Sequence, residues 1–293
     1  MNLGEVRQFY AEEIRVAAPL RSRAVAEAFA RVPREQFLGS GPWQIASASA
    51  AQVDGCHPSD DAHPRHVYHN VAIALDMSRL LFNGQPGTIG RWIDELRIQP
   101  GERIFHLGCG TGYFTAIMAE VTGPSGQVVA CEVDTDLAVR ARENLSRYPN
   151  VMVCAASGTE FDPGPCDAML INAGVTIPLP GWLDRLSEGG RMGVALTISM
   201  APATPTVGKG MVAMITRRAG ALNARILNYI MIYSCEGARD RQLEPALGNA
   251  MGTGALMKLA SVRREPHEAD ETCIVHATGV CLSSKAAQIA TSG

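Results

Sequence analysis

One stretch constrains this chain more than any other: IFHLGCGTGYFTA at residues 104–116, an apolar run that ends in three alternating glycines. A buried strand that stops at Gly108, Gly110 and Gly112 and opens into a helix brings bare backbone against a ligand that side chains would hold away. Glu132 closes the next apolar run, VVACE, twenty residues past Gly112. A second parallel strand would deliver its carboxylate to a ribose diol. The pattern implies a nucleoside-cofactor site at the strand ends of an α/β sheet.

The flanking sequence supports such a sheet. Apolar runs at 103–107, 127–131, 150–155, 167–172 and 191–197 alternate with helical patterns at 112–121, 135–147 and 179–187, as in a parallel sheet with helices on both faces. A Pro/Gly-rich turn at 199–210 precedes two further runs, 211–216 and 224–233, close enough to form an antiparallel hairpin. Residues 4–31 carry helical periodicity broken at Pro19, and 44–69 lack any period and predict a loop or lid. NGQPGT (83–88) predicts a loop feeding a helix over 89–98. The tail predicts a helix near 239–259 and a last strand over 273–282. The expected fold is therefore a Rossmann-like α/β, seven-stranded and mostly parallel sheet ending in an antiparallel hairpin. Its segments would be N-terminal helices and a lid or substrate loop (1–85), the cofactor-binding core (86–235) and a C-terminal extension (236–293).

Charge and composition exclude several classes. With 293 residues, a net charge of −3 and scattered lysines and arginines, the chain has no basic stripe for a nucleic-acid backbone. No run reaches the roughly 18–20 apolar residues of a membrane span, and the charged N-terminus lacks the apolar core of a signal peptide. A cytoplasmic protein is expected, with neither nucleic acid nor membrane as partner. Its eight cysteines form no C-x-x-C pair and read as reduced, small apolar residues. Four of the seven histidines fall in CHPSDDAHPRHVYH (56–69). No helical H-x-x-x-H spacing or cysteine partner completes a metal set there, so no metal is expected.

Dinucleotide sites usually read G-x-G-x-x-G. Here the pattern is G-x-G-x-G followed by the bulky Tyr113 and Phe114, which would crowd a pyrophosphate, so a cofactor without phosphates fits better. The chain resembles the protein-L-isoaspartate O-methyltransferase family over about residues 25–235. The likeness is carried by RVPREQF (31–37), the GQP loop, PGERIFHLGCGTGYFTAIMAEV, DAMLINAG (167–174) and IPLPGWLDRLSEGGRMGVAL. It implies S-adenosylmethionine as cofactor, with Gly108, Gly110 and Gly112 lining its methionine part and Glu132 on the ribose. Val133 and Asp134 would flank the adenine or ribose edge; Tyr113 reads equally as a packing residue or as a lid on the methionine end.

Three positions depart from the family pattern. His106 stands on the first strand where many members have Glu. Ser157-Gly158 replaces an Asp-Gly pair that holds the adenine amine, so Ser157 and backbone would take over that contact. The substrate loop Gly-Gln-Thr-Ile-Ser reads GQPGT, with Pro86 and Gly87 intruding. Asn83, Gln85 and Thr88 remain as polar groups that would face the acceptor. Asn172, at the end of the fourth strand, reads either as a residue that touches the cofactor or orients the acceptor or as a turn residue before Ala173-Gly174, and His69 is the loop histidine expected to face the site.

Methyl transfer from a sulfonium is an in-line displacement, governed by positioning in a dry site. A carboxylate acceptor is already ionised at neutral pH and needs donors but no base. O-methylation of a carboxylate in a peptide or small metabolite is the leading expectation. Alternatives are O-, N- or S-methylation of a small molecule, where His69 would serve as base, and a non-catalytic S-adenosylmethionine-binding protein. The sequence leaves the oligomeric state open.

Overall fold

The computed structural model describes residues 2–46, 55–200 and 204–287. Parts of the expected lid (47–54) and of the expected 199–210 turn (201–203) lie outside the described residues. The chain opens with α1 (Leu3–Ala17) and α2 (Arg23–Arg31), followed by β1 (Gln44–Ala46), β2 (Cys56–Pro58), β3 (Ala74–Asp76), β4 (Leu81–Phe82) and α3 (Pro86–Leu96). Strand and helix then alternate through β5 (Arg103–Leu107), α4 (Tyr113–Thr122), β6 (Gln127–Glu132), α5 (Thr135–Asn144), β7 (Val151–Ala155), β8 (Cys166–Val175) and α6 (Pro180–Arg185). The long strands β9 (Leu186–Met200), β10 (Thr204–Arg218) and β11 (Ala221–Tyr233) come next. The extension holds α7 (Glu244–Gly252), β12 (Ser261–Arg263), β13 (Cys273–Ala277) and β14 (Val280–Ser283). The α/β, Rossmann-like class expected from the alternation is the class observed. No helix among the described residues is long and apolar enough to cross a membrane.

The chain divides into two compact units, and the expected segment boundaries at 85/86 and 235/236 fall inside them. The first comprises residues 1–102 and 109–155. Its α1 starts at a capping box in which Asn2 accepts from Glu5 N at 3.0 Å and Glu5 accepts from Asn2 N at 2.8 Å. Ser22 caps α2, and Asp94 of α3 fixes the entry by accepting from Arg21 N and Ser22 N. The expected lid contains ordered pieces: β1 and β2 pair antiparallel, and a single 3-10 turn spans Pro64–Val67. The α3 helix begins at Pro86, three residues earlier than periodicity predicts, because proline at the first helical position lacks only an N–H that would have no partner anyway. Strands β6 and β7 run parallel, with Glu132 paired to Ala155.

The second unit comprises residues 103–108 and 156–293, and its strand order is β13-β14-β12-β11-β10-β9-β8-β5. β5, β8 and β9 are parallel; β10 and β11 form the expected antiparallel hairpin on β9. Where a turn was expected over 199–210, β9 runs to Met200 and β10 starts at Thr204. Gly208 and Gly210, which read as turn residues, lie inside β10. A Cβ on Gly210 would come within 1.9 Å of the Leu196 carbonyl oxygen, so close strand packing excludes a side chain there. The expected last strand is a hairpin, β13 and β14, joined by Thr278 and Gly279. The expected helix over 239–259 shortens to α7 and a 3-10 turn at Ala255–Lys258, broken by Gly254.

Candidate active site

In the first unit the glycine loop is tied to Glu132. Gly110 N donates to Glu132 Oε2 at 2.7 Å and Asp134 N to Oε1 at 3.1 Å. The backbone N–H of Val133 also favours the ionised carboxylate, and the residue is 7% exposed. Burial raises its pKa above the ordinary 4.5, against the hydrogen bonds that favour ionisation. Asp134 caps α5 through Asp136 N and Leu137 N and is ion-paired with Arg79. Val133, between the two acids, is exposed.

The three glycines do different work. At Gly112, the N-cap of α4, a Cβ would lie 2.7 Å from Leu145 Cδ1. At Gly108, in the second unit, it would lie 3.0 Å from the Asn172 carbonyl oxygen. At Gly110 (φ +55°) a Cβ would meet nothing within 4 Å. All three have positive φ, and Gly108 and Gly112 are crowded as well, whereas Gly110 keeps open space beside the backbone. Asn144 closes the loop by donating to the Thr111 carbonyl at 2.9 Å, a contact the sequence did not suggest.

Of its two readings, Tyr113 takes the packing one. Its side chain is buried, with its hydroxyl 3.1 Å from that of Tyr10 and its ring against Phe29, Phe37 and Phe114. Arg34 lies 5.8 Å from the ring centroid. The side chain belongs to an aromatic core and is not presented to a cofactor.

In the second unit Asn172 Nδ2 donates to the Gly108 carbonyl at 3.2 Å, which fixes the strand end and leaves Oδ1 buried without a hydrogen-bond partner among the described residues. His106 is fully buried on β5, and burial pulls its pKa down to about 3, so its imidazole is neutral. Ser157 Oγ pairs with Thr159 Oγ1 at 2.7 Å. Gly158 packs on Leu107 and accepts from Trp182 Nε1 at 2.9 Å.

The expected acceptor groups of the first unit separate into two sets. Thr88 Oγ1 donates to Gln85 Oε1 at 2.7 Å, Gln85 Nε2 to the Asn70 carbonyl at 3.0 Å, and Gly87 N to Asn70 Oδ1 at 2.7 Å. Asn70 completes this cluster and was missed; its only signal was its place after His69, at the close of the polar run. Asn83 Oδ1 accepts from Ile73 N and Arg34 Nη2, and its buried Nδ2 has no hydrogen-bond partner among the described residues. His69 is a correction. Its carbonyl accepts from Arg34, while its exposed side chain lines a shallow groove with Val6, Phe9 and Glu13 of α1, outside the Gln85–Thr88 cluster. His63 and His66 are held locally by Arg65 N and Asp61.

A family model described as protein-L-isoaspartate(D-aspartate) O-methyltransferase matches residues 10–209. The chain is 32% identical over 193 residues to the protein-L-isoaspartate O-methyltransferase of Aeropyrum pernix, covering 64% of this chain and 65%, just under two thirds, of that protein. It is 30% identical over 197 residues to protein-L-isoaspartate O-methyltransferase 1 of Syntrophobacter fumaroxidans, covering 66% and 79%. Among solved structures, a protein-L-isoaspartate O-methyltransferase superposes with a TM-score of 0.59 at 20% identity, over 82% of this chain and 69% of that one. A Plasmodium falciparum protein assigned to the same activity, solved in complex with S-adenosyl-L-homocysteine, gives 0.53 at 17% identity, over 78% and 98%. At these identities the two structures bear on the fold.

Proposed function

We propose, since this chain belongs to the protein-L-isoaspartate(D-aspartate) O-methyltransferase family, that it transfers the methyl group of S-adenosylmethionine to a peptide carboxylate. The observation that carries the donor half is the Glu132–Gly110 arrangement. A buried carboxylate fixed by backbone N–H groups at the end of β6 suits a vicinal diol, and Gly110 is the loop residue beside which a Cβ would meet only open space. S-adenosylmethionine supplies the electrophilic methyl. Glu132 and the glycine loop hold the donor in place.

The acceptor half rests on family membership and on the cluster of Asn70, Gln85 and Thr88. A carboxylate acceptor arrives ionised, so orientation by neutral donors suffices and no base is needed. The Asn70 amide nitrogen is such a donor, its oxygen held by Gly87 N in the first turn of α3, and Thr88 Oγ1 would become one by turning its proton from Gln85 Oε1 to the acceptor. His69, the only base expected near the acceptor, lies outside this cluster, which favours a carboxylate over a hydroxyl or amine. Ser157 and Asn172 are carried as proposed adenine and acceptor contacts.

Calorimetry with S-adenosylhomocysteine tests the donor, and transfer of labelled methyl to an isoaspartyl peptide beside its aspartyl counterpart tests the acceptor. Label on the isoaspartyl peptide alone is expected. Binding without transfer to either peptide would refute the acceptor, and absence of binding would refute the donor.

Two substitutions separate the halves. Gly110→Ala should weaken S-adenosylhomocysteine binding at least about tenfold, since its methyl enters the cofactor's space, while costing the fold only about 1–2 kcal/mol at a left-handed position. An affinity within twofold of the parent would remove Gly110 from the site. Thr88→Val should leave that affinity unchanged and lower turnover roughly five- to tenfold, the loss of about one hydrogen bond. Equal loss of affinity and turnover would show Thr88 acting on the donor instead.

A further inference from the structure

The family match ends at residue 209, and beyond it four side chains converge in the second unit. His267, Cys273, His276 and Cys281 each offer one nitrogen or sulfur, and these four atoms all lie within 4.8 Å of one another. The placement follows from the hairpin missed in the sequence. β13 carries Cys273 and His276, β14 carries Cys281 directly across from His276, and the loop between β12 and β13 returns His267 to them. The spacing is H-x5-C-x2-H-x4-C. It brings the four together only because Thr278 and Gly279 turn the chain.

The local hydrogen bonds prepare these atoms as ligands. His267 Nδ1 lies 2.8 Å from the Glu265 carbonyl oxygen, which can only accept, so the proton sits on Nδ1 and the lone pair on Nε2. That Nε2 is 3.6 Å from Cys273 Sγ. Asp270 N donates to Cys273 Sγ at 3.3 Å, a contact that suits a thiolate, while the thiol proton points to Asp270 Oδ1 at 3.4 Å and is one that metal binding would release. His276 packs edge-on against His267 with ring centroids 4.7 Å apart, and its buried Nδ1 has no hydrogen-bond partner among the described residues. Cys281 is 1% exposed and its thiol faces that of Cys273.

We propose that His267, Cys273, His276 and Cys281 form a structural Zn²⁺ site. Zinc holds thiolate sulfur at about 2.3 Å and imidazole nitrogen at about 2.0–2.1 Å in a tetrahedron, whose edges are then about 3.3–3.8 Å. The His267–Cys273 separation is already one such edge. Two sulfurs and two nitrogens favour zinc over magnesium or calcium, and four protein ligands leave no open position for catalysis. Two thiolates and two neutral imidazoles balance the ion, and binding releases the two thiol protons. The metal would staple the loop after β12 to β13, the edge strand of its sheet, where an unpaired strand is otherwise open to pairing with other chains.

Elemental analysis of the untagged full chain, purified with reductant and without chelator, should find one zinc per chain. Replacing that zinc by Co²⁺ should give the ligand-field bands of a tetrahedral site with a thiolate-to-metal charge-transfer band. Cys273→Ser and His276→Ala should lose the metal, whereas Cys56→Ser should keep it. Cys273→His, which preserves four ligands, should retain cobalt with the charge-transfer intensity reduced by about half. The wild-type cobalt spectrum does not depend on any variant folding. A chain without stoichiometric zinc and without that spectrum would overturn the site, as would a Cys273–Cys281 disulfide found by mass spectrometry in metal-free protein isolated without reductant.

Discussion

Arg34→Met should lower the unfolding free energy by about 3–5 kcal/mol, read as a shifted denaturation midpoint with an unchanged slope. Arg34 is fully buried, and among the described residues no carboxylate hydrogen-bonds its guanidinium. It donates instead to the carbonyls of Val67, His69 and Val71 at 2.6, 2.9 and 2.6 Å and to Asn83 Oδ1 at 3.3 Å. Two aromatic faces complete its shell, with Tyr10 at 5.9 Å and Tyr113 at 5.8 Å from the guanidinium carbon. Methionine keeps the volume of the stem, so packing changes little. Three carbonyls lose their charged donor in a buried site, and that loss dominates. Arg34→Lys should recover only part of the difference, because one ammonium cannot span three carbonyls arranged for a planar fork. A change below about 1 kcal/mol for methionine would show that water replaces the guanidinium without cost. The segment pinned by Arg34 runs into Asn70, so turnover should fall in step with stability.

Legibility in the sequence followed the range of the interactions involved. The β5 strand, the glycine loop and Glu132 are set by local pattern and by the geometry of one strand-helix-strand unit, and they were readable. Tyr113 was not, because helical period says which face a residue occupies but not whether that face meets a ligand or a core. Its partners Tyr10 and Arg34 are far away in the chain. Arg34, inside RVPREQF, gains its role only when three carbonyls from 67–71 are folded over it. Gly208 and Gly210 carry the composition of a turn, yet their absent side chains serve close approach within β9 and β10. His267 and the two later cysteines sat in a charged run and an apolar run that looked unrelated. A two-residue turn at Thr278-Gly279 was the missing signal. The identical spacing of Gly108, Gly110 and Gly112 concealed a difference that only their neighbours reveal: two are crowded by Asn172 and Leu145, one is open.

Glu132→Ala should weaken S-adenosylhomocysteine binding by about 1.5–3 kcal/mol, roughly 10- to 100-fold, because two hydroxyl contacts to a charged acceptor are lost together. Glu132→Gln should lose nearly as much, since an amide offers one acceptor oxygen where the carboxylate offers two. An affinity unchanged by either variant would remove Glu132 from the ribose. The pH dependence sharpens the test because stability and affinity move in opposite directions. Burial raises the Glu132 pKa, so the folded chain holds its proton more tightly than the unfolded chain. Its contribution to stability is therefore fully present below the ordinary 4.5 and is lost as pH rises through the raised folded value. Donor hydroxyls favour the ionised carboxylate, so ligand binding should release the proton and weaken as pH falls through that same raised value. Calorimetry from about pH 8 down to about pH 5 should show affinity declining on the acid side with a slope of at most one proton, and Glu132→Gln should flatten that slope. A slope that survives the Glu132→Gln substitution would assign the titration to another group.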